Sequence, residues 1–153
     1  MMPIQSTDTI KKEIFIACRP ATLYPFFTDP EKLVRWMGHH VLLDTQLGGK
    51  FRIDLDGNNI AMGEYTELIP NEKIVMTWGW EKSKMVPPGS STLEFLLTPQ
   101  DNGTLLVLTH SGLPVSEVDS HIKGWTHFMS RIQAVAQGED QGNDPSSQEV
   151  IQE

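Results

Sequence analysis

The sequence predicts an α+β domain in which a curved antiparallel sheet of about six to seven strands closes against one long C-terminal helix. Residues 39–110 form short runs of alternating apolar and polar side chains that turn signals separate. Residues 118–136 instead repeat apolar side chains at steps of four and three, as on one face of a helix. Because a twisted sheet with an apolar concave face needs a cover, we expect this helix to enclose a cavity against it.

A first strand is predicted at residues 10–17, with Ile14 and Ile16 on one face and Phe15 on the other. Alternation in the later strands is clearest at Phe51 and Ile53. The run from Thr104 to His110 contains four consecutive apolar residues, so its period alone does not identify the inward face.

Two short helices are predicted between the first and second strands. The first covers residues 21–27, and Pro25 should kink it because proline has no backbone N–H to donate. The second begins at Thr28-Asp29-Pro30-Glu31, where a capping oxygen, a proline and a glutamate three residues after the threonine are typical of a helix start.

The domain is predicted to cover residues 10–138. An N-terminal arm (residues 1–9) precedes it, and an acidic tail (residues 139–153) with almost nothing to bury should be disordered. The single cysteine, Cys18, lies in an apolar context and is expected to be a small buried side chain.

Composition argues against several partners. The net charge of −8 and the scattered basic residues disfavour nucleic acid, and no run of about 18 apolar residues indicates a membrane span. The N-terminus has no secretion signal, so we expect a cytoplasmic protein, either a monomer or a homodimer.

Short segments lie in a characteristic order along residues 10–136: Thr28-Asp29-Pro30-Glu31, Trp36, Gly48-Gly49-Lys50-Phe51, Gly63 before Pro70, Thr77-Trp78, Gly103-Thr104, His110 and Gly124-Trp125. Together they resemble the START-like or helix-grip (SRPBCC) domains, and among them the group named after the activator of the heat-shock protein 90 ATPase. The resemblance implies a helix-grip fold, and it implies that Thr104, Leu106, Leu108 and His110 point inward. Two positions depart from the pattern, Met37 in place of a second tryptophan and Pro25 in the first short helix, and both are expected to flank the cavity entrance.

No metal or cofactor site is predicted. His39 and His40 are adjacent on a strand and should point to opposite faces, while His121 and His127 cannot share a helix face. The sequence contains no paired cysteines and no phosphate-binding glycine loop.

Three polar residues are weak catalytic candidates. His110 ends an apolar strand, and either a satisfied core histidine or a proton-transfer group fits that position. Glu64 and Glu67 lie three apart on one strand, so one of them points inward if the strand is regular, and a bulge would place both outside.

The cavity is expected to be lined by large apolar and aromatic side chains. The loop from Glu81 to Gly89 is a candidate lid beside them. The predicted ligand-binding residues are Trp36, Met37, Phe51, Ile53, Met76, Trp78, Trp80, His110, Trp125, Phe128 and Met129.

Three functions remain open at this stage. The first is binding of a hydrophobic or aromatic small molecule, which the aromatic residues favour. The second is an enzyme of the polyketide cyclase, aromatase or hydrolase type, in which His110 would act with Glu64 or Glu67. The third is an interaction module that contacts a chaperone or another protein, as the family resemblance implies.

Overall fold

Seven strands form one antiparallel sheet in the computed structural model, which describes residues 7–140. They are β1 (Thr7–Ile16), β2 (His40–Leu43), β3 (Lys50–Asp54), β4 (Ile60–Ile69), β5 (Lys73–Trp80), β6 (Ser91–Gln100) and β7 (Gly103–Pro114). Their order across the sheet is β1-β7-β6-β5-β4-β3-β2, so β2 to β7 follow one another and β1 pairs with β7. The predicted meander is confirmed.

Three short helices connect β1 to β2, where two were predicted. They are α1 (Pro20–Leu23), α2 (Pro25–Thr28) and α3 (Pro30–Leu33). The predicted first helix is divided before Pro25, because a proline favours the first position of a helix over its interior. The cap of α3 also differs, since Asp29 and not Thr28 caps it, and Oδ1 of Asp29 accepts a hydrogen bond from the Glu31 N–H at 2.9 Å.

The ordered elements extend beyond the predicted domain boundaries. Thr7 to Thr9 of the predicted N-terminal arm belong to β1, where Thr7 pairs with Pro114. At the other end, α4 (Val118–Asp140) includes Glu139, whose carboxylate bonds Lys32 and Arg35 at 3.0 Å each. The remainder of the predicted arm and tail, residues 1–6 and 141–153, lies outside the described residues.

The inward face of β7 carries Thr104, Leu106, Leu108 and His110, each fully buried. This is the face that the family resemblance implied, and the apolar run alone left it open. Residues of the same strand between them are only half-buried because the outer face of the sheet meets solvent.

A bulge in β4 determines where its two glutamates point. Tyr65 lies opposite Met76, whereas Glu67 lies opposite Val75, so the register shifts by one residue between Tyr65 and Glu67. Tyr65 is fully buried, Glu64 is exposed, and Glu67 pairs with Lys73 at 3.5 Å on the outer side. Both glutamates therefore lie away from the concave face.

The long helix α4 covers the concave face after a 3-10 turn at Val115–Glu117. Its apolar stripe is buried against the sheet at Trp125, Met129, Ile132 and Ala136, whereas Ile122 is 38% exposed. Burial of each large side chain contributes roughly 1.5–3 kcal/mol to stability. Polar contacts fix its register on β1 and the residue that follows, since Nε2 of Gln133 donates to the Phe15 carbonyl at 2.7 Å and the Ala17 N–H donates to Oε1 of Gln137 at 2.9 Å. Cys18, just beyond β1, is fully buried beneath this contact region.

Membrane insertion of a helix is not indicated by the described part of the chain. Within residues 7–140, no helix combines the length and the apolar composition that a span requires.

The loop between β5 and β6, the candidate lid, is anchored to the domain at Val86. Val86 is fully buried, its carbonyl accepts a hydrogen bond from the Trp80 N–H at 2.7 Å, and its N–H donates to Oγ of Ser83 at 2.9 Å. At the end of β5, a Cβ added to Gly79 would lie 1.9 Å from the Pro87 carbonyl oxygen. The strand and the loop thus approach each other so closely that only a glycine fits at position 79.

We expect the Gly79→Ala substitution to destabilise the protein by about 1–3 kcal/mol, because the new methyl group would displace the Pro87 backbone. The matched control is Gly138→Ala in α4, where a Cβ meets nothing within 4 Å and should change stability by about 1 kcal/mol or less, in the stabilising direction. Urea unfolding measures both. Equal stabilities of the two variants would contradict the close approach.

Candidate ligand-binding cavity

A cavity of about 510 Å³ lies at one end of the sheet, where the β3–β4 turn, the β5–β6 loop and the first turns of α4 meet. This volume falls within the range of roughly 300–1,000 Å³ that is typical of small-molecule sites. Its inner wall is apolar and consists of Leu55, Trp78, Trp80, Trp125 and Phe128. Its rim is polar and consists of Asn58, Asn59, Lys82, Ser83, Glu117 and Ser120, and His121 and Gly124 complete the lining.

Trp78 is at the centre of the aromatic wall. Its ring centroid lies 5.5 Å from that of Trp80 in an edge-to-face arrangement and 5.3 Å from that of Trp125. Trp125 in turn contacts Phe128, with ring centroids 6.2 Å apart. Because aromatic pairs favour such distances and tilts, the wall is preformed.

His110 lies behind this wall and is fully buried. Nε1 of Trp125 donates to its Nδ1 at 3.0 Å, so Nδ1 must be unprotonated. Oγ of Ser91 donates to the Trp78 carbonyl at 2.8 Å, so the 2.8 Å contact between Ser91 Oγ and Nε2 of His110 requires a proton on Nε2. Both ring nitrogens of His110 are therefore engaged within the protein.

Burial, with a smaller contribution from nearby His121, lowers the pKa of His110 from its usual 6.5 to about 3. The imidazole is neutral near pH 7 and has no nitrogen free to exchange a proton with a ligand. Of the two readings of this residue, the structure thus favours the satisfied core histidine. Glu64 and Glu67 are on the outer face of β4, so the three weak catalytic candidates do not form one site.

His121 of α4 lies next to the aromatic wall, and Ser120 of the same helix lies at the rim. Its Nε2 accepts a hydrogen bond from Nε1 of Trp80 at 3.0 Å, and its Nδ1 lies 2.7 Å from the Glu117 carbonyl oxygen. The imidazole is thereby the tautomer with a proton on Nδ1, and it orients the Trp80 ring. Its place within the apolar stripe of α4 was visible in the sequence, but the partner was not.

The structure divides the predicted ligand-binding residues into two groups. Four of them line the cavity, two at the end of β5 and two on α4: Trp78, Trp80, Trp125 and Phe128. His110 lies behind the cavity wall. The remaining predicted residues belong to the closed core and do not line the cavity: Trp36, Met37, Phe51, Ile53, Met76 and Met129.

The short helices fill the other end of the concave face, which explains this division. Trp36 packs with Phe27 and Phe95 at centroid distances of 5.5 and 6.3 Å, and its Nε1 donates to the Phe26 carbonyl at 2.8 Å. Met37 is 3% exposed in the same core, so neither it nor Pro25 flanks the cavity entrance as predicted.

The polar rim was missed by sequence reasoning. Asn58 and Asn59 lie in the Asp56-Gly57-Asn58-Asn59 turn, which the sequence marked only as a break between strands. Lys82 and Ser83 lie in the loop that was a candidate lid. Within residues 7–140, no three His, Cys, Asp or Glu side chains converge in a way that would hold a metal ion.

Comparison with known proteins agrees with this architecture. The profile of the family described as "Activator of Hsp90 ATPase homolog 1-like protein" matches residues 17–137. The chain belongs to this family. A curated relative is the human activator of 90 kDa heat shock protein ATPase homolog 1, 31% identical over 118 residues that cover 76% of this chain and 33% of the relative. The chain therefore matches about a third of the length of that protein.

Two solved structures extend the comparison within the family. An AHSA1-like protein from Rhizobium etli is 39% identical, with a TM-score of 0.73 over 95% of this chain and 92% of the other. An Hsp90 activator from Plasmodium falciparum is 26% identical, with a TM-score of 0.68 over 84% of this chain and 94% of the other. The helix-grip fold predicted from the sequence is thus confirmed.

The buried neutral His110 should make stability depend on pH. Its pKa is about 3 in the folded protein and about 6.5 in the unfolded chain, so the unfolded state binds the extra proton between these values. The contribution of neutral His110 to the free energy of unfolding should be complete above pH 6.5 and should decrease as the pH falls towards 3. The expected loss between pH 6.5 and pH 5 is about 2 kcal/mol.

Urea unfolding across this pH range, compared for the wild type and His110→Gln, isolates this contribution. The variant is expected to be less stable at pH 7 but to have a shallower decline on acidification. Parallel curves for the two proteins would show that His110 is not responsible.

Proposed function

We propose that this chain binds an apolar, largely aromatic small molecule in the cavity between the sheet and α4. The observation that carries the proposal is a volume of about 510 Å³ left open beside Trp78, Trp80, Trp125 and Phe128. The short helices fill the other end of the concave face, so the open end is not a general feature of a loosely packed core.

The wall is rigid enough to recognise a ligand. Trp80 and Trp125 are each held by a hydrogen bond to a histidine, at 3.0 Å in both cases. Little side-chain entropy is therefore lost when a ligand packs on these rings. The polar rim then provides solvated groups at the mouth, an arrangement common to small-molecule sites.

A cyclase-type or hydrolase-type reaction finds less support in the same geometry. His110 has both nitrogens engaged behind the wall, and Glu64 and Glu67 lie on the outer face. The residues suggested for proton transfer are thus not available to a molecule in the cavity.

Binding can be tested with the neutral fluorescent probe N-phenyl-1-naphthylamine and a cavity-filling variant. Gly124 lines the cavity, and an added Cβ there meets no atom within 4 Å, so Gly124→Leu should fold and occupy the volume. We expect its affinity for the probe to fall by about tenfold or more, since the leucine and the probe compete for the same space. Native mass spectrometry of freshly purified wild type should also show a small-molecule adduct that Gly124→Leu lacks.

The matched control is Gly138→Leu, the same substitution on the same helix at a position that does not line the cavity. It should bind the probe as the wild type does. If both variants bind equally well, or if the wild type binds no probe, the proposed site is wrong.

A second candidate function is contact with a chaperone of the Hsp90 class. It is favoured by the 31% identity with the human activator over 118 residues. Two apolar side chains at the β2 edge of the sheet, Leu42 and Leu47, are 68% and 70% exposed and suit a protein contact.

Steady-state ATP turnover by an Hsp90-class chaperone, measured with increasing amounts of this chain, tests the second candidate. Acceleration is expected, and Gly124→Leu should retain it because the contact would use the outer surface. The double substitution Leu42→Ser and Leu47→Ser should reduce it. An unchanged turnover with the wild-type chain would exclude this function.

A further inference from the structure

The indole N–H of Trp78 is buried without a hydrogen-bond partner among residues 7–140. The other three tryptophans each donate to a specific acceptor. Trp36 donates to the Phe26 carbonyl at 2.8 Å, Trp80 to His121 at 3.0 Å, and Trp125 to His110 at 3.0 Å. Buried donors are almost always satisfied in native proteins, so the exception at Trp78 points to a partner that is not among the described residues.

The neighbouring groups are not available to Trp78. Both nitrogens of His110 are engaged with Trp125 and Ser91, and Oγ of Ser91 already donates to the Trp78 carbonyl. The nitrogens of His121 are engaged with Trp80 and Glu117. These contacts leave the Trp78 N–H as the unused donor of the aromatic wall.

Rotation of Trp78 is restricted by the rings around it. The indole packs against Phe51 at a centroid distance of 5.8 Å, against Trp125 at 5.3 Å and against Trp80 at 5.5 Å. The ring is 1% exposed, so its N–H cannot turn to bulk water. The cavity that this residue lines is the open volume beside the indole from which an acceptor can approach.

We propose that the ligand of this cavity is a flat, uncharged aromatic molecule with a carbonyl-type oxygen, and that Trp78 Nε1–H donates a hydrogen bond to that oxygen. The proposal rests on the proposed function. The ring faces of the wall select a flat apolar body, and an unsatisfied buried donor selects an acceptor. The charged lining residues, Lys82 and Glu117, are at the rim, so the inner end of the cavity offers no counter-charge to an ionised ligand.

Access to the Trp78 nitrogen requires a neighbouring ring to shift, because that atom is shielded from solvent. Trp80 is the half-buried ring that packs edge-to-face against Trp78, and the hydrogen bond to His121 secures its orientation. A ligand that displaces Trp80 slightly exchanges one edge-to-face contact for a hydrogen bond to Trp78 and a new ring contact.

The test compares aromatic ketones with their hydrocarbon counterparts: 9-fluorenone with fluorene, and benzophenone with diphenylmethane. The indole N–H signals of ¹⁵N-labelled protein report on each tryptophan, once single Trp→Phe variants have assigned them. We expect the ketones to move the Trp78 proton signal downfield and to leave the Trp36 signal in place, and the hydrocarbons to produce no downfield shift of Trp78. The ketones should also bind about tenfold more tightly than the hydrocarbons.

The Trp78→Phe variant keeps an aromatic ring and removes the donor. The ratio of ketone to hydrocarbon affinity should fall from about tenfold to about twofold or less, whatever the change in hydrocarbon binding. Trp36→Phe is the matched control, since Trp36 lies in the closed core, and it should keep the ratio of the wild type.

Failure of this inference and failure of the proposed function give different results. Equal binding of ketones and hydrocarbons, with no shift of the Trp78 signal, would overturn this inference and leave the proposed function intact. An unchanged ratio in Trp78→Phe would assign Trp78 a packing role only. Absence of binding by all four probes to the wild type would overturn both proposals.

Discussion

The hydrogen bond from Nε1 of Trp125 to Nδ1 of His110 joins the long helix to the concave face of the sheet at β7. His110 lies in β7, and its other nitrogen contacts Ser91 at the start of β6, which in turn donates to the carbonyl of Trp78 in β5. One chain of hydrogen bonds thus connects α4 with three adjacent strands. Because it lies in a buried, low-dielectric environment, each bond is stronger than it would be in water and the loss of one partner is costly.

This chain also determines the shape of the cavity. The bond to His110 fixes the Trp125 ring, which forms the helix side of the aromatic wall, and Trp78 forms the sheet side. A second tryptophan–histidine hydrogen bond, between Trp80 and His121, fixes the outer part of the wall. The histidines of this region therefore act on the site by orienting tryptophans, and the neutral state of His110 is what allows its Nδ1 to accept from an indole.

The opposite end of the concave face is closed. There Phe27 of α2 and Trp36, which follows α3, pack against Phe95 and fill the space. Arg131 of α4 also donates to the carbonyls of Arg35 and Trp36, at 3.0 and 3.3 Å, which holds the helix over this closed end. In this chain, the size of the cavity therefore depends on how far the short helices fill the concavity.

Much of the architecture was predictable from local patterns. The period of two placed Ile14, Ile16 and the strands of the meander, and the period near 3.6 placed α4, because each pattern is a property of consecutive residues. The break in the first short helix before Pro25 was also predictable from the local sequence. The bulge in β4 was only one of two alternatives, since its position depends on pairing with β5 and not on the residues of β4 alone.

The sequence by itself therefore determined the order of the elements, the apolar face of the helix and the presence of an aromatic-rich interior. Tertiary structure alone decided that Trp78, Trp80, Trp125 and Phe128 border open space while Trp36 and Phe51 are enclosed. It also decided that His110 is satisfied and that the Trp78 N–H has no partner among residues 7–140. The physical reason is that a cavity and a hydrogen-bond partner arise from the relative positions of segments far apart in the chain, which no local period encodes.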